Sequence, residues 1–215
     1  MSLRIGIYDF FAYTIPGFVH FILFAYLANL FNIVDKIDIY KISIAHLIIV
    51  SGFAFVLGLV FDPLSDKLWF SLFKTKHSKE KAIQEMTRRY PEFNLNIKPD
   101  DWILFLDYIK NRNLDLGFEF DNINAQSKMM RNISFGLLLF GLSFIVNLIL
   151  DFKVILIFSP IICFLFSIVL ILKAKKFYDW YYCFIFEAII SEQIQLDKYI
   201  SYSKIIIEYL KEPVI

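Results

Sequence analysis

Four long stretches without a formal charge dominate the hydrophobic pattern: residues 15–33, 42–61, 133–150 and 154–172. Each holds 18 to 20 residues, and an α-helix needs about 20 mostly apolar residues to cross a bilayer's hydrocarbon core. Helices of soluble proteins keep a polar face at that length. The pattern therefore predicts an all-α polytopic membrane protein with four transmembrane helices in two hairpins. The first run exceeds the roughly 7–15 residues of a signal-peptide core. Asn29-Leu30-Phe31-Asn32 offers no small-x-small cleavage site, so the run is read as a span that stays in the mature protein.

Between the hairpins the pattern becomes amphipathic. Leu64, Leu68 and Leu72, with Trp69 and Phe73 beside them, continue a helical stripe out of the second span. Ile83 and Met86 carry it to about Tyr90, before Pro91. Phe93, Leu95 and Ile97 alternate, as in a short strand or an extended linker. Pro99-Asp100-Asp101 reads as a helix start. Trp102, Phe105, Leu106 and Ile109 then form one apolar face, Gly117 suggests a break, and a helix from about Asn122 enters the third span. After Lys173, Lys175 and Lys176 comes Phe177-Tyr178-Asp179-Trp180-Tyr181-Tyr182, where interfacial aromatics belong. The expected organisation is residues 1–61, an N-terminal segment with the first hairpin; 62–132, a small helical cytoplasmic module; 133–172, the second hairpin; and 173–215, a cytoplasmic amphipathic helix.

Charge gives this topology a direction. The connections at 34–41 and 151–153 carry three Lys or Arg residues, Lys36, Lys41 and Lys153. Within about 20 residues of the opposite span ends there are eleven, and basic residues concentrate on the cytoplasmic side. Both termini and the middle segment are thus expected in the cytoplasm, with a bacterial inner membrane as the location. Composition agrees: 58% of the 215 residues are hydrophobic and 19% aromatic, against about 45–50% apolar in average soluble domains. Disorder and disulfide-stapled classes are excluded, with only 2 Cys present.

Candidate chemistry is sparse. No HExxH, CxxC, EF-hand, GxGxxG or GxxxxGK[ST] pattern occurs, so no metal, no cofactor and no direct nucleic-acid binding is expected. The runs contain no Asp, Glu, Lys or Arg. Their polar residues include His20, Asn29, His46 and Asn147, too few for proton-coupled transport or intramembrane catalysis. No catalytic residue is assigned. Asp62 and Asp66 flank Pro63 at the mouth of the second span, a polar collar or, alternatively, a cation-binding ring. Arg88 and Arg89, with Trp102, complete a possible cytoplasmic mouth or trigger surface. Small residues form stripes: Ser51, Ala54 and Gly58 in the second span; Gly136, Ser143 and Asn147 in the third; Ser159, Cys163 and Ser167 in the fourth. Such stripes let helix backbones approach, either within one bundle or between subunits.

The entry to the first span reads Tyr8-Asp9-Phe10-Phe11-Ala12-Tyr13-Thr14-Ile15-Pro16-Gly17. This Tyr-Asp-x3-Tyr-x2-Pro-Gly pattern, with residues Phe177 to Trp180 more loosely, resembles small bacterial four-span effectors of anti-phage defence associated with CBASS or CRISPR loci. The resemblance implies an oligomer that permeabilises or depolarises the inner membrane when a cytoplasmic protein or small molecule triggers it. The residue pattern alone also admits a membrane-anchored adaptor or regulator of a soluble partner. Aromatic residues outside the spans, among them Trp69, Trp102 and Trp180, need cover, either from a compact helical module or from other subunits, and on that ground a homo-oligomer in the lipid bilayer is expected.

Overall fold

The structure, a computed structural model, describes residues 7–33, 43–73, 75–91, 99, 102–150 and 157–209. The connections at 34–41 and 151–153 and the alternation at Phe93, Leu95 and Ile97 lie outside the described residues. Six α-helices make up the architecture, and no strand occurs among the described residues. They are α1 Ile7–Leu30, α2 Ile44–Leu72, α3 Thr75–Arg89, α4 Trp102–Arg112, α5 Leu114–Leu150 and α6 Phe158–Tyr209. Four contain segments long and apolar enough to cross a membrane: Phe10–Leu30, His46–Leu72, Leu114–Leu150 and Phe158–Ser191. The protein is all-helical and has the four apolar helices of a multi-pass membrane protein. Two compact units divide the chain, Met1–Thr75 with Asp121–Tyr178, and Lys76–Phe120 with Asp179–Ile215.

The first unit is built on close helix contacts. Helices α1 and α2 touch backbone to backbone: a methyl group at Gly17 would fall 1.6 Å from the Ala54 carbonyl oxygen, and one at Gly58 would fall 2.0 Å from that of Tyr13. Ala54 and Pro16 are buried beside them. Only a residue without a Cβ permits that approach. The Tyr-x2-Pro-Gly part of the N-terminal pattern is therefore the seat of α2. The outward faces of α2, α5 and α6 are apolar and exposed, as at Phe53, Val56, Ile145, Ile149, Phe166 and Val169. In water such surfaces would aggregate; in lipid they are solvated.

The second unit has a conventional buried core. Ala82 and Met86 of α3, Ile109 of α4, Phe120 of α5, and Tyr181, Tyr182, Ile185, Phe186 and Ile190 of α6 are all buried. Trp102 meets Tyr181 and Tyr182 edge to face, at 6.2 and 5.4 Å between centroids, and Phe105 meets Phe186 at 6.1 Å. The face Trp102-Phe105-Leu106-Ile109 points inward, as its spacing predicts, while Ile103 and Leu104 remain exposed.

Two boundaries differ from the pattern reading. The stripe from α2 to Met86 is not one helix: α2 ends at Leu72, with Phe73 extended at φ −125° and ψ 124°. Each segment keeps its own apolar register, so periodicity runs on across the break. Gly117 lies inside α5 rather than ending a helix, because Asn113 makes the break instead. The Asn113 N–H donates to the Ile109 carbonyl at 2.8 Å, and its side-chain oxygen accepts the Leu116 N–H at 3.2 Å. Asn113 thus closes α4 and caps α5.

Candidate functional site

A proline and two acids at the end of an apolar run place three polar groups on one helical face. Asp62, Ser65, Asp66 and Trp69 fall at i, i+3, i+4 and i+7 of α2. Helix α5 brings Lys128, Arg131 and Asn132 to the start of the third apolar run. Because α2 leaves the apolar layer where α5 enters it, the two sets stand level, and they form one knot. Arg131 Nη2 lies 3.0 Å from Asp62 Oδ1 and in direct contact with Asp66 Oδ1. Asn132 Nδ2 donates to the same Asp62 oxygen at 2.9 Å. The Ser65 hydroxyl reaches the Asn132 amide oxygen and, at 2.9 Å, the main-chain carbonyl of Asp62.

The knot is largely dry. Arg131 is 6% exposed, the one Lys, Arg, Asp or Glu buried among the described residues, and Ser65 and Asn132 are at 1% and 0%. A guanidinium between two carboxylates meets the condition for burying charge, a paired and hydrogen-bonded counterion. Arg131 also occupies the place a cation would take between Asp62 and Asp66, so the pair is an arginine clamp. Arg131 Nε and the indole N–H of Trp69 find no acceptor among the described residues. Trp69 is packed against Phe73 at 4.6 Å and Tyr178 at 5.8 Å, which buries the tryptophan within the chain.

On either side of the knot, polar side chains stitch the helices. Ser134 and Ser167 exchange bonds, each hydroxyl donating to the other's main-chain carbonyl at 2.8 Å. Ser127 donates to the Ala174 carbonyl at 3.1 Å, and Asn147 Nδ2 donates to the Tyr26 hydroxyl at 2.6 Å. Ser143 and Ser51 donate back to their own helices, to Phe140 and Leu47 at 2.8 Å each. Gly136 faces α1, where a methyl group would sit 2.8 Å from Val19 and 3.2 Å from the His20 ring. Ala54, Gly58, Gly136, Asn147 and Ser167 thus meet neighbours in the same chain. Ser159 and Cys163 are half-buried, and Cys163 and Cys183 carry free thiols.

The two histidines of the apolar runs differ. His46 sits in the first turn of α2 and caps it: Nδ1 accepts the Ser43 N–H at 3.2 Å and lies 2.7 Å from its hydroxyl. His20 is fully buried, stacked on Phe61 at 4.2 Å between centroids, and neither ring nitrogen has a partner among the described residues. The remaining candidates lie in the second unit. Arg88 and Arg89 are exposed and grip Glu85 at 2.8 and 3.0 Å, and Arg89 also faces Glu187 at 3.9 Å. These hydrogen bonds, from Arg89 first and Arg88 second, hold the Glu85 carboxyl below its ordinary value. Trp102 is half-buried beneath the Lys79 ammonium, 5.4 Å from its ring.

Sequence reading singled out Asp62 and Asp66 but not Ser65, Arg131, Asn132 or Ser134. The missed signal is positional: an Arg-Asn pair opening one apolar run and an acid closing another share a depth once the helices run antiparallel. No group of His, Cys, Asp and Glu suited to a metal ion occurs among the described residues. Comparison of the chain with protein-family models, with curated proteins and with solved structures finds no match.

Proposed function

We propose that the chain is an oligomeric effector of a bacterial inner membrane, with both termini and the segment between the hairpins in the cytoplasm. A cytoplasmic protein or small molecule triggers it, in the setting of anti-phage defence, and it then permeabilises the membrane. The charged knot carries the reading. It joins α2 to α5 at the span ends that the charge count assigns to the cytoplasm, and it is where burial of an ionised arginine depends on two partners. A contact of that kind is bistable: paired it closes the helices, and unpaired its charges demand water. Drawing Arg131 away would wet the gap between α2 and α5. The apolar outer faces of the spans and the absence of transport chemistry support a permeability function over a carrier.

The test is a potential-sensitive dye in cells expressing the wild type and the double variant Asp62→Asn, Asp66→Asn. Loss of the clamp should depolarise cells without a trigger, at equal membrane-inserted protein. Unchanged potential with the variant, together with a monomeric wild type in mild detergent, would overturn the proposal. The second reading is a membrane-anchored adaptor, for which the exposed Ile103 and Leu104 of α4 are the supporting surface. Replacing the spans by unrelated apolar helices separates the two: an adaptor keeps its activity.

A further inference from the structure

Within the second unit, apolar exposure and charge are unevenly placed. Residues 114–120, the first turns of α5, carry Asp115 and Glu119 and no base of their own, with the Lys110 stem of α4 beside Gly117, and they leave Leu114 72% and Phe118 60% exposed. Helix α3 has the opposite sign, with five Lys or Arg residues against Glu80 and Glu85. Its apolar side is spent on the core through Ala82 and Met86, so Lys81 and Arg88 face outward. Among the described residues no ion pair engages Asp115, Glu119 or Lys81.

With the knot at the cytoplasmic span ends, as proposed above, an α5 running along the membrane normal carries Leu114 and Phe118 beyond the headgroups. Phe118 precedes Asn132 by fourteen helical residues, roughly 21 Å at 1.5 Å per residue. The headgroup region on each side of a bilayer is only about 5–8 Å deep. Resting on the oligomeric reading above, we propose that the acidic, apolar start of α5 docks on the basic outer face of α3 in a second copy of this chain, head to tail. Phe118 and Leu114 lie against the aliphatic stems of Lys81 and Arg88; the Lys81 ammonium reaches Asp115 or Glu119, while Arg88 keeps its pair with Glu85. A two-fold arrangement of either patch on itself would set like charges together. A reciprocal two-fold pair would also set acid on base; the head-to-tail contact alone makes a ring, where its rotation closes. That is the symmetry a pore requires.

Disulfide trapping between differently tagged full-length chains tests this, in a background with Cys163 and Cys183 replaced by alanine. Mixing Phe118→Cys chains with Lys81→Cys chains should give a crosslinked pair, with at least tenfold less product from either chain alone. Reversing charge with Asp115→Lys and Glu119→Lys should abolish the oligomer, the milder Glu119→Gln should weaken it, and adding Lys81→Glu to the reversal should restore it. Trapping of Phe118→Cys with itself would overturn the head-to-tail contact. So would a full-size oligomer in the charge-reversed chain with its dye response intact, which leaves the effector reading standing. A wild type that is monomeric in membranes would overturn both.

Discussion

An arginine held by two carboxylates cannot be deleted without stranding them. Breaking a buried pair by removing one partner destabilises by about 3–5 kcal/mol. Asp66 is about a third exposed at its side chain, which places Arg131→Ala at the lower end, about 3 kcal/mol. Denaturant unfolding in detergent measures it, and Arg131→Lys, which keeps the charge but loses the planar fork, should lose less. His20 makes the opposite case. Its two ring nitrogens are buried without partners, a debt of about 1–3 kcal/mol for an unsatisfied polar group. His20→Phe keeps the stack on Phe61 and removes the debt, so it should raise stability by about 1 kcal/mol. A fall instead would show that the place beside Gly136 has no room for the larger ring. The sequence made Asp62, Asp66 and His20 visible as residue types out of place. It hid Arg131, because a basic residue at the edge of an apolar run reads as a topology marker, and only antiparallel packing reveals that it faces Asp62.

Helices α1 and α2 meet without side chains between them, and this contact divides the glycines of the chain. A methyl group at Gly17 or Gly58 would strike backbone, whereas one at Gly52 meets nothing within 4 Å. Gly17→Ala and Gly58→Ala should each destabilise the first unit by about 2–3 kcal/mol through overpacking. Gly52→Ala should stabilise α2 by about 0.5–1 kcal/mol, since glycine disfavours a helix interior. Thermal unfolding of the three variants in one detergent decides it. Helix α3 carries a pH prediction. The folded carboxyl of Glu85 ionises below its ordinary value of 4.5, so its support for the last turn is present above that value. The support is lost as pH falls through the lower folded value, and far-ultraviolet dichroism of α3 variants such as Glu85→Gln should converge with wild type there. Helix existence was legible from uncharged run length and from the Trp102-Phe105-Leu106-Ile109 spacing. The α2–α3 and α4–α5 boundaries were not, since one rests on a single extended residue and the other on a capping asparagine without a proline or glycine beside it.

At the scale of the whole molecule, topology is the property most exposed to test. Cysteines introduced at Lys36 and Lys153 should react with an impermeant thiol reagent from outside intact cells, and one at Arg88 should react only after lysis. Reaction of all three from one side would contradict four spans. The exposed faces of the spans carry a second expectation. Lysine at Phe53, near the middle of the apolar run 42–61 and 61% exposed, should shift the chain out of the carbonate-resistant membrane fraction, given an insertion penalty of about 2.5–3.5 kcal/mol for a charge at a span centre.

The arginine clamp also has a history in time. Asp62 and Arg131 are separated by 69 residues, and a ribosome adds roughly 5–20 residues per second. For about 3–14 seconds of every synthesis, therefore, the first hairpin carries two carboxylates at its edge and their counterion does not yet exist. The end of α2 meets its counterion only after residue 131 has been made.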